Sequence, residues 1–203
     1  MKLHTFPLAP NPTKVEVFLK EKGLDLAREI VVLPKGEQHD PAFLARNPLG
    51  RVPVLELDDG EFVAESLPIL EYLEELHPEP SMIGRTPLER LRIRSLERMI
   101  DTSILLPVGR LVHSTRSPLP GVEPNEGMAA WARTALVKPL ALLDERVGDA
   151  PFVFGDRPTI ADGTLFAAMR FGRMFGVEVD ASHRNLHRWY ASFEERHGGA
   201  PRV

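Results

Sequence analysis

Residues 47–66, NPLGRVPVLELDDGEFVAES, decide the fold of this chain. They predict a loop, a buried strand entered through Val52-Pro53, a hairpin turn at Asp58-Asp59-Gly60 and a second short strand. Proline cannot donate a ladder hydrogen bond, so Pro53 belongs at the start of its strand and leaves the backbone of Val52 free to meet a ligand. Glu65-Ser66 then opens the apolar run LPILEYLEEL, where a hydroxyl, unpaired amides and the helix dipole suit an anion. The segment therefore predicts two halves of a site for a small peptide.

The residues before this stretch predict alternating strands and helices. Asn11-Pro12 is typical of a helix N-cap followed by the first helical residue, and Gly23 is a natural helix end. The order β-α-β-α-β-β-α over residues 1–77 predicts an α/β thioredoxin-like domain. The predicted segments are strand 2–6, the helix from Asn11, strand 28–33, a helical turn over 41–45, a hairpin of 54–57 with 61–63, and helix 66–76.

The second half of the chain has a different pattern. Residues 78–87 contain three prolines and a glycine, which predicts a linker. Beyond them, apolar residues recur at helical spacing with no convincing strand, so residues 88–203 predict an all-α helical-bundle domain. Thr159 and Asp162 predict a capping box, which has a folding role. The predicted helices cover residues 88–106, 125–147, 159–175 and 186–196.

Composition narrows the class of protein. The chain has 203 residues, a formal net charge of −4 and no cysteine. Mild acidity argues against a nucleic-acid or anionic-membrane surface, and no apolar run approaches the ~18 residues of a membrane span. The N-terminus lacks the features of a signal peptide. We therefore expect a cytoplasmic enzyme or binding protein whose thiol chemistry, if any, uses a thiol brought by a ligand.

Four pieces of sequence resemble the cytosolic glutathione transferase family. They are PNPTKVEVFLKEKG from Pro10, DPAFLARNPLGRVPVLELDDG from Asp40, the pair Glu65-Ser66, and TIADGTLFA from Thr159. The resemblance covers essentially the whole chain and implies the glutathione transferase fold, a thioredoxin-like domain followed by an all-helical one. It also implies glutathione as co-substrate, no metal and a homodimer.

The resemblance implies roles for the central motif. In the family, the residue before the proline pairs through its backbone with the cysteinyl part of glutathione, and the proline is cis. Carried onto this chain, those residues are Val52 and Pro53, with Arg51 beside them. The alternative for Pro53 is an ordinary trans bond at the start of a strand.

The resemblance assigns the two ends of glutathione to other residues. The acid–serine pair holds the γ-glutamyl group, so Glu65 suits the ammonium and Ser66 the α-carboxylate. Gln38 falls where relatives often place a His, Gln or Lys toward the glycine end. The alternatives are a simple helix cap for Glu65-Ser66 and a solvated loop residue for Gln38.

The thiol activator is where this chain departs from many relatives. These carry a Tyr, Ser or Cys near the first helix, but here the first serine is Ser66, and Ala9 stands where a serine commonly sits. The remaining donors are the first amides of the helix, the Asn11 side chain and the Thr13 hydroxyl. The Pro-Asn arrangement is similar to nu-type transferases, in which an asparagine lies by the sulfur and disulfide reduction is prominent. Pure N-capping by Asn11 is the alternative.

The acceptor is less well defined by the sequence. A hydrophobic pocket is expected to draw on Leu8, residues 106–113 and residues 169–175, with Arg110 and His113 as polar candidates or as solvated residues. Expected partners are glutathione and a small hydrophobic electrophile or a mixed disulfide, without nucleic acid or membrane.

Two functions remain open at this point. One is a glutathione-dependent enzyme for conjugation or thiol–disulfide exchange, and the other is a non-catalytic protein that binds glutathione or hydrophobic ligands. Maleylacetoacetate isomerase fits poorly, because the Ser-Ser-Cys stretch of that class is absent.

Overall fold

The computed structural model describes residues 1–198. The chain divides into two compact units, Met1–Ser81 and a second that begins at Met82. The division falls inside the segment 78–87, which the sequence predicts as a linker. Each unit has its own secondary structure and its own buried core.

The first unit is a thioredoxin-like domain with a mixed four-stranded sheet. The strands lie in the order β2-β1-β3-β4, with β1 parallel to β2 and antiparallel to β3, and β3 antiparallel to β4. The predicted order of strands and helices is confirmed, with 3-10 turns at Leu33–Lys35 and Glu37–His39. The elements are β1 Lys2–Thr5, α1 Pro10–Lys22, β2 Ala27–Ile30, α2 Pro41–Leu44, β3 Val54–Glu56, β4 Phe62–Ala64 and α3 Ser66–Leu76.

The start of α1 differs from the sequence prediction. The N-cap is Ala9, which makes no side-chain capping bond, and the helix begins at Pro10. Proline is preformed for the first helical position, so Pro10 starts the helix without help from a capping side chain. Asn11 is therefore the second helical residue, and the prediction that it caps the helix was wrong.

The second strand also ends earlier than predicted. β2 stops at Ile30, and residues 33–35 form a 3-10 turn instead of continuing the strand. Pro34 has no N–H for a strand ladder and its φ suits a helical turn, which explains the change.

A small core on one side of the sheet reaches toward the loop before β3. It consists of buried Val31, Phe43 and Val54, with partly buried hydrophobic residues packed against it. Two of those, Val52 and Ala64, directly precede Pro53 and Glu65. The same core therefore supports both halves of the predicted peptide site. The partly buried members are Leu33, Val52, Phe62 and Ala64.

The second unit is helical. Among residues 82–198 the only extended pairing is one isolated bridge between Phe152 and Gly155. The first predicted helix was too short, because a π-helical segment, Asp101–Leu105, joins α4 to α5 and carries the helix to Thr115. The helices are α4 Pro87–Ile100, α5 Leu106–Thr115, α6 Glu126–Val147, α7 Ile160–Met174 and α8 Arg184–His197.

The predicted capping box at the start of α7 is confirmed. Asp162 Oδ2 accepts hydrogen bonds from Thr159 N and Thr159 Oγ1, both at 2.9 Å. Its Oδ1 accepts from Val153 N at 2.8 Å and from Trp189 Nε1 at 3.1 Å. Complete burial raises the pKa of Asp162 to about 6, against the opposing effect of these hydrogen bonds. The carboxylate thus ties three parts of the second unit together. Among the described helices, none is long and apolar enough to cross a membrane.

Candidate functional site

A small cleft in the first unit brings together most of the predicted site residues. It has a volume of about 40 Å³ and lies between the start of α1, the loop before β3 and the start of α3. Six of its seven lining residues are sequence-predicted, and one is not. They are Asn11, Asn47, Arg51, Val52, Pro53, Glu65 and Ser66.

The loop before β3 presents free main-chain groups to this cleft. The Val52-Pro53 peptide bond is cis, as predicted. Among residues 1–198, neither the N–H nor the C=O of Val52 has a hydrogen-bond partner. An extended peptide can therefore pair with Val52 as an added strand does.

The Glu65-Ser66 pair begins α3 in an unusual backbone conformation. Glu65 has φ of 74°, the only positive φ of a non-glycine residue among the described residues. Such a conformation costs about 1–3 kcal/mol and tends to persist at functional sites. Ser66 is buried at the first helical position, and Pro68 has no N–H. The amides of Ser66 and Leu67 have no partner among the described residues, so they point out of the helix start as anion donors.

Two opposite charges line the cleft without pairing. Glu65 and Arg51 are both exposed, and neither makes an ion pair with any residue of the described part of the chain. A ligand that carries both an ammonium and a carboxylate can satisfy both. The cleft is therefore suited to a zwitterionic peptide.

Asn47 is the lining residue that sequence reasoning missed. It is buried, its Nδ2 donates to Arg51 O at 2.8 Å, and its Oδ1 accepts from Leu49 N at 3.1 Å. The second bond is an Asx turn, which the sequence Asn-Pro-Leu-Gly favours. That turn signal was available in the sequence and would have identified Asn47 as the residue that shapes the loop.

The first turn of α1 has few donors. Pro10 and Pro12 have no N–H, and Thr13 N donates to Ala9 O at 3.2 Å. The Thr13 hydroxyl also donates to Ala9 O, at 2.9 Å, and the residue is buried. The donors left to face the cleft are the N–H and the side-chain amide of Asn11, which is exposed.

Gln38 does not line the cleft. It is buried in the 3-10 turn Glu37–His39, and its Oε1 has no hydrogen-bond partner in the described structure. Its main-chain oxygen lies 2.9 Å from the position a Cβ on Gly50 would take, and Gly50 has φ of 58°. Glycine is therefore required at residue 50, and Gln38 packs under the loop that carries Arg51.

Of the predicted acceptor residues, Leu8 lies in the first unit, and Arg110 and His113 lie in the second. Leu8 is half-buried in the turn before α1. Arg110 is exposed on α5, and His113, one turn later, is half-buried with Nδ1 3.0 Å from Ser117 Oγ. Burial, and then the charge of Arg110, lower the pKa of His113.

Another cavity lies in the second unit. It has a volume of about 200 Å³ and is lined by α7, α8 and the segment between them. Within residues 1–198 no group of three or more His, Asp or Glu is arranged to hold a metal ion. The cavity is lined by Met169, Arg173, Glu178, Val179, His187, Tyr190 and Ala191.

Comparison with known proteins identifies the family. Residues 3–81 match the glutathione S-transferase N-terminal domain, and residues 102–197 match the glutathione S-transferase C-terminal domain. The chain belongs to the glutathione S-transferase family. This family uses glutathione as co-substrate.

Individual relatives include transferases and an isomerase. The chain is 35% identical to a maleylacetoacetate isomerase of Pseudomonas aeruginosa, over 89% of this chain and 85% of that protein. It is 32% identical to glutathione S-transferase 2 of Saccharomyces cerevisiae, over 97% of this chain and 86% of that protein. The crystal structure of Gtt2 from Saccharomyces cerevisiae aligns with a TM-score of 0.89 at 32% identity, covering 97% of each chain. An enzyme of the transferase or isomerase kind is therefore supported, although the sequence motifs had disfavoured the isomerase.

Proposed function

We propose that this glutathione S-transferase family member binds reduced glutathione in the cleft as a thiolate. The thiolate is then used for conjugation to hydrophobic electrophiles or for glutathione-dependent thiol–disulfide exchange. One observation carries the proposal. The N–H and C=O of Val52, which have no hydrogen-bond partner among the described residues, line the same cleft as the unpaired charges of Arg51 and Glu65.

The chemistry of glutathione matches these groups one by one. Ser66 Oγ and the amides of Ser66 and Leu67 suit the α-carboxylate of the γ-glutamyl group, while Glu65 accepts from its ammonium. The N–H and C=O of Val52 pair with the cysteinyl residue. Arg51 is the cation of the cleft that suits the glycine carboxylate of glutathione. Gln38 affects the binding of that carboxylate indirectly, by supporting the loop that carries Arg51.

Asn11 is the proposed contact of the sulfur. A thiol has a pKa of about 8.5, and lowering it to about 6.5 takes roughly 2.7 kcal/mol of preference for the thiolate. One hydrogen bond to a charged group contributes about 1.5–3 kcal/mol, and a helix N-terminus up to ~2. The two donors of Asn11 together with the dipole of α1 are thus sufficient. Thr13 is a weaker candidate, because its hydrogen is already donated to Ala9 O.

Either reaction follows from a bound thiolate. In conjugation, the sulfur attacks an electrophilic carbon, a C–S bond forms, and the electron pair leaves with a displaced group or moves into a conjugated acceptor. In exchange, the sulfur attacks a glutathione mixed disulfide, which yields glutathione disulfide and the released thiolate. The protein has no cysteine, so every sulfur in the exchange belongs to a ligand.

A non-catalytic role is the second candidate. It is favoured by the sparse first turn of α1, where two prolines and the internal bond of Thr13 leave donors on one residue only. Such a protein would bind glutathione without lowering the pKa of its thiol.

The deciding experiment combines binding with activity. Calorimetry is run with glutathione and with cysteinylglycine, which lacks the γ-glutamyl group that Glu65 and Ser66 would hold. Binding of glutathione with at least about tenfold weaker binding of cysteinylglycine supports the site. Equal affinity, or no binding at millimolar glutathione, would contradict it.

The activity arm separates the candidate reactions. A broad electrophile, a glutathione mixed disulfide and maleylacetoacetate are assayed side by side, the last because of the isomerase relative. Binding with no turnover of any of the three would favour the non-catalytic role. The predicted contacts of the acceptor remain Leu8, Arg110 and His113. Once an active substrate is known, kinetics of variants substituted at these three residues will test them.

A homodimer is part of the proposal. Each unit exposes large apolar side chains: Leu49 and Leu76 in the first, Leu88 and Leu91 in the second, with Leu91 65% exposed. Singly exposed leucines are common, but dimerisation is typical of the family. Light scattering of wild type and Leu91→Glu tests it, and a wild-type monomer at micromolar concentration would contradict the proposal.

A further inference from the structure

A fully buried histidine lies on β1, opposite Val54, the residue that follows Pro53 on β3. His4 on β1 has no exposed surface, and its ring lies 5.9 Å from the ring of Phe62 and 6.5 Å from that of Phe43. Its Nε2 is 2.9 Å from Glu56 Oε2, and its Nδ1 is 3.1 Å from an Arg46 guanidinium nitrogen. His4 therefore joins β1, β3 and the segment after α2.

Charged groups face both ring nitrogens of His4: Nε2 faces Glu56, and Nδ1 faces Arg46 and, at 3.4 Å, Glu29 Oε1. In the neutral ring Nδ1 accepts from Arg46, because arginine only donates hydrogen bonds. The proton of the neutral ring is then on Nε2, which donates to the Glu56 carboxylate. Both nitrogens of the buried ring therefore have a hydrogen-bond partner.

Charged groups from three strands complete the cluster. Glu29 on β2 accepts from Arg46, and Lys2 on β1 lies 3.2 Å from Glu56 and 3.5 Å from Glu29. The pKa of Glu56 is lowered by its hydrogen bonds to His4 and then Lys2. The Arg46 guanidinium also lies 5.9 Å from the centre of the Phe62 ring. Arg46 is thus held by a histidine, a carboxylate and an aromatic face at once.

Arg46 directly precedes Asn47, the residue that shapes the cleft loop. Main-chain N–H groups of Arg46 and Asn47 both donate to Phe43 O, at 2.9 and 3.0 Å. Asn47 in turn holds Arg51 O, Leu49 N and, through its own carbonyl, Gly50 N at 2.9 Å. The path from His4 through Arg46 to Asn47 ends at the residue next to Val52.

We propose that Arg46, held by His4 and Glu29, is a positioning residue for glutathione binding. It fixes the start of the 47–53 loop so that the main chain of Val52 is presented to the ligand. The inference rests on the proposed function for its ligand, but its structural part does not. Arg46 and His4 contact no part of the ligand in this proposal.

The test compares two variants of the pair with a matched control. Arg46→Met keeps an unbranched apolar stem and removes the guanidinium donors, and His4→Phe keeps an aromatic ring and removes both nitrogens. The control is Arg28→Met on β2, because Arg28 is also partly exposed, with ion pairs to Glu16 and Asp25 away from the cleft. If the loss of any ion pair in the first unit were enough to weaken glutathione binding, Arg28→Met would weaken it equally.

Three measurements are made on each full-length variant. Hydrogen exchange without ligand measures the protection of the Leu49 and Gly50 amides. We expect these amides to exchange about tenfold faster in Arg46→Met and His4→Phe, and at the wild-type rate in Arg28→Met. Calorimetry should give a glutathione Kd raised about tenfold, the size of one lost hydrogen bond to a charged group. KM for glutathione should rise with it, while kcat at saturating glutathione stays unchanged.

The outcomes separate this inference from the proposed function. If wild type binds glutathione and the Kd of the variants matches that of Arg28→Met, the positioning role is wrong and the function stands. If wild type does not bind glutathione but loop exchange responds as expected, the function fails and Arg46 remains the residue that fixes the loop. Unchanged exchange in both variants would overturn the inference by itself.

Discussion

Asn47 Nδ2 donates a hydrogen bond to the carbonyl oxygen of Arg51 across 2.8 Å, from a residue that is only 5% exposed. The same side chain accepts from Leu49 N through its other end. The loop that presents Val52 is therefore closed by one amide group. The order of this loop depends on a residue that has no predicted contact with the reacting thiol.

Asn47→Asp should weaken glutathione binding while preserving the turn. Aspartate still accepts from Leu49 N, but it cannot donate to Arg51 O and sets a carboxylate against a carbonyl. We expect glutathione affinity to fall about 10-fold or more and the unfolding free energy to fall by about 1–3 kcal/mol. Calorimetry and denaturant unfolding measure the two. Asn125→Asp, which keeps an N-cap acceptor for Met128 N on α6, is the control and should change neither strongly.

Ser66→Ala should weaken glutathione binding by about 1–3 kcal/mol, because the ligand carboxylate loses a hydroxyl donor. Thr159→Ala is the matched control, since it also removes a buried hydroxyl at a helix start. It should lower the unfolding free energy of the second unit by about 0.5–2 kcal/mol and leave glutathione affinity intact. An unchanged affinity in Ser66→Ala would mean that the Ser66 hydroxyl does not bind the ligand and that Ser66 only begins α3.

Asn11→Asp should raise the pKa of the bound glutathione thiol. It replaces a donor with an anion facing the thiolate, and a carboxylate in the first turn of a helix favours helix stability. Because Ala9 caps the helix, the substitution does not disturb the cap. Thiolate absorbance of the bound ligand, titrated through neutral pH, gives the shift. Wild-type titration in this variant would exclude the Asn11 side chain as the thiol contact and leave that role to the main-chain N–H groups or Thr13.

Asp162 should make the second unit lose stability as the pH rises from about 4 to about 6. Its folded pKa, about 6, lies above the ordinary value of 3.8, because burial disfavours the charged carboxylate. The folded protein therefore holds this proton where the unfolded chain has released it, and the contribution is complete only below pH ~4.

Asp162→Asn provides the measurement. Asparagine does not ionise, so the unfolding free energy of wild type minus that of the variant should shrink between pH 4.5 and 7, by roughly 3 kcal/mol at most. A difference that grows with pH would mean that the hydrogen bonds from Thr159, Val153 and Trp189 outweigh burial.

The sequence was sufficient where a local pattern determines structure. Ser66–Leu76 was predicted to the residue, because a strand, a hydroxyl residue and an apolar helical run follow one another directly. The capping box at Thr159 was found from two residues three apart, but its links to Val153 and Trp189 were not. Those partners lie 9 and 27 residues from Asp162, and no local signal records them.

The misses at the ends of helices share a physical cause, which is competition between local preferences. Asparagine is a better N-cap than alanine, yet α1 begins at Pro10, two residues before the predicted Pro12, because the fixed φ of Pro10 already suits the first helical position. Pro107 is typical of a helix break, but the π-helical segment ahead of it lets the helix run on to Thr115. No local pattern in the sequence marks the cis bond at Glu79-Pro80.

The two prolines in the first turn of α1 reduce the number of main-chain N–H groups that this helix end can offer to an anion. Most helix ends offer several amide donors, whereas Pro10 and Pro12 leave this one with the N–H of Asn11. Pro12→Ala would add a second donor at the same end without introducing a side-chain acid or base. We expect the bound thiol to become more acidic, which makes the variant a gain-of-function counterpart to the loss expected from Asn11→Asp. In this helix, Pro12 limits how strongly the N-terminus stabilises an anion, and its removal is a route to a larger fraction of thiolate in the bound ligand.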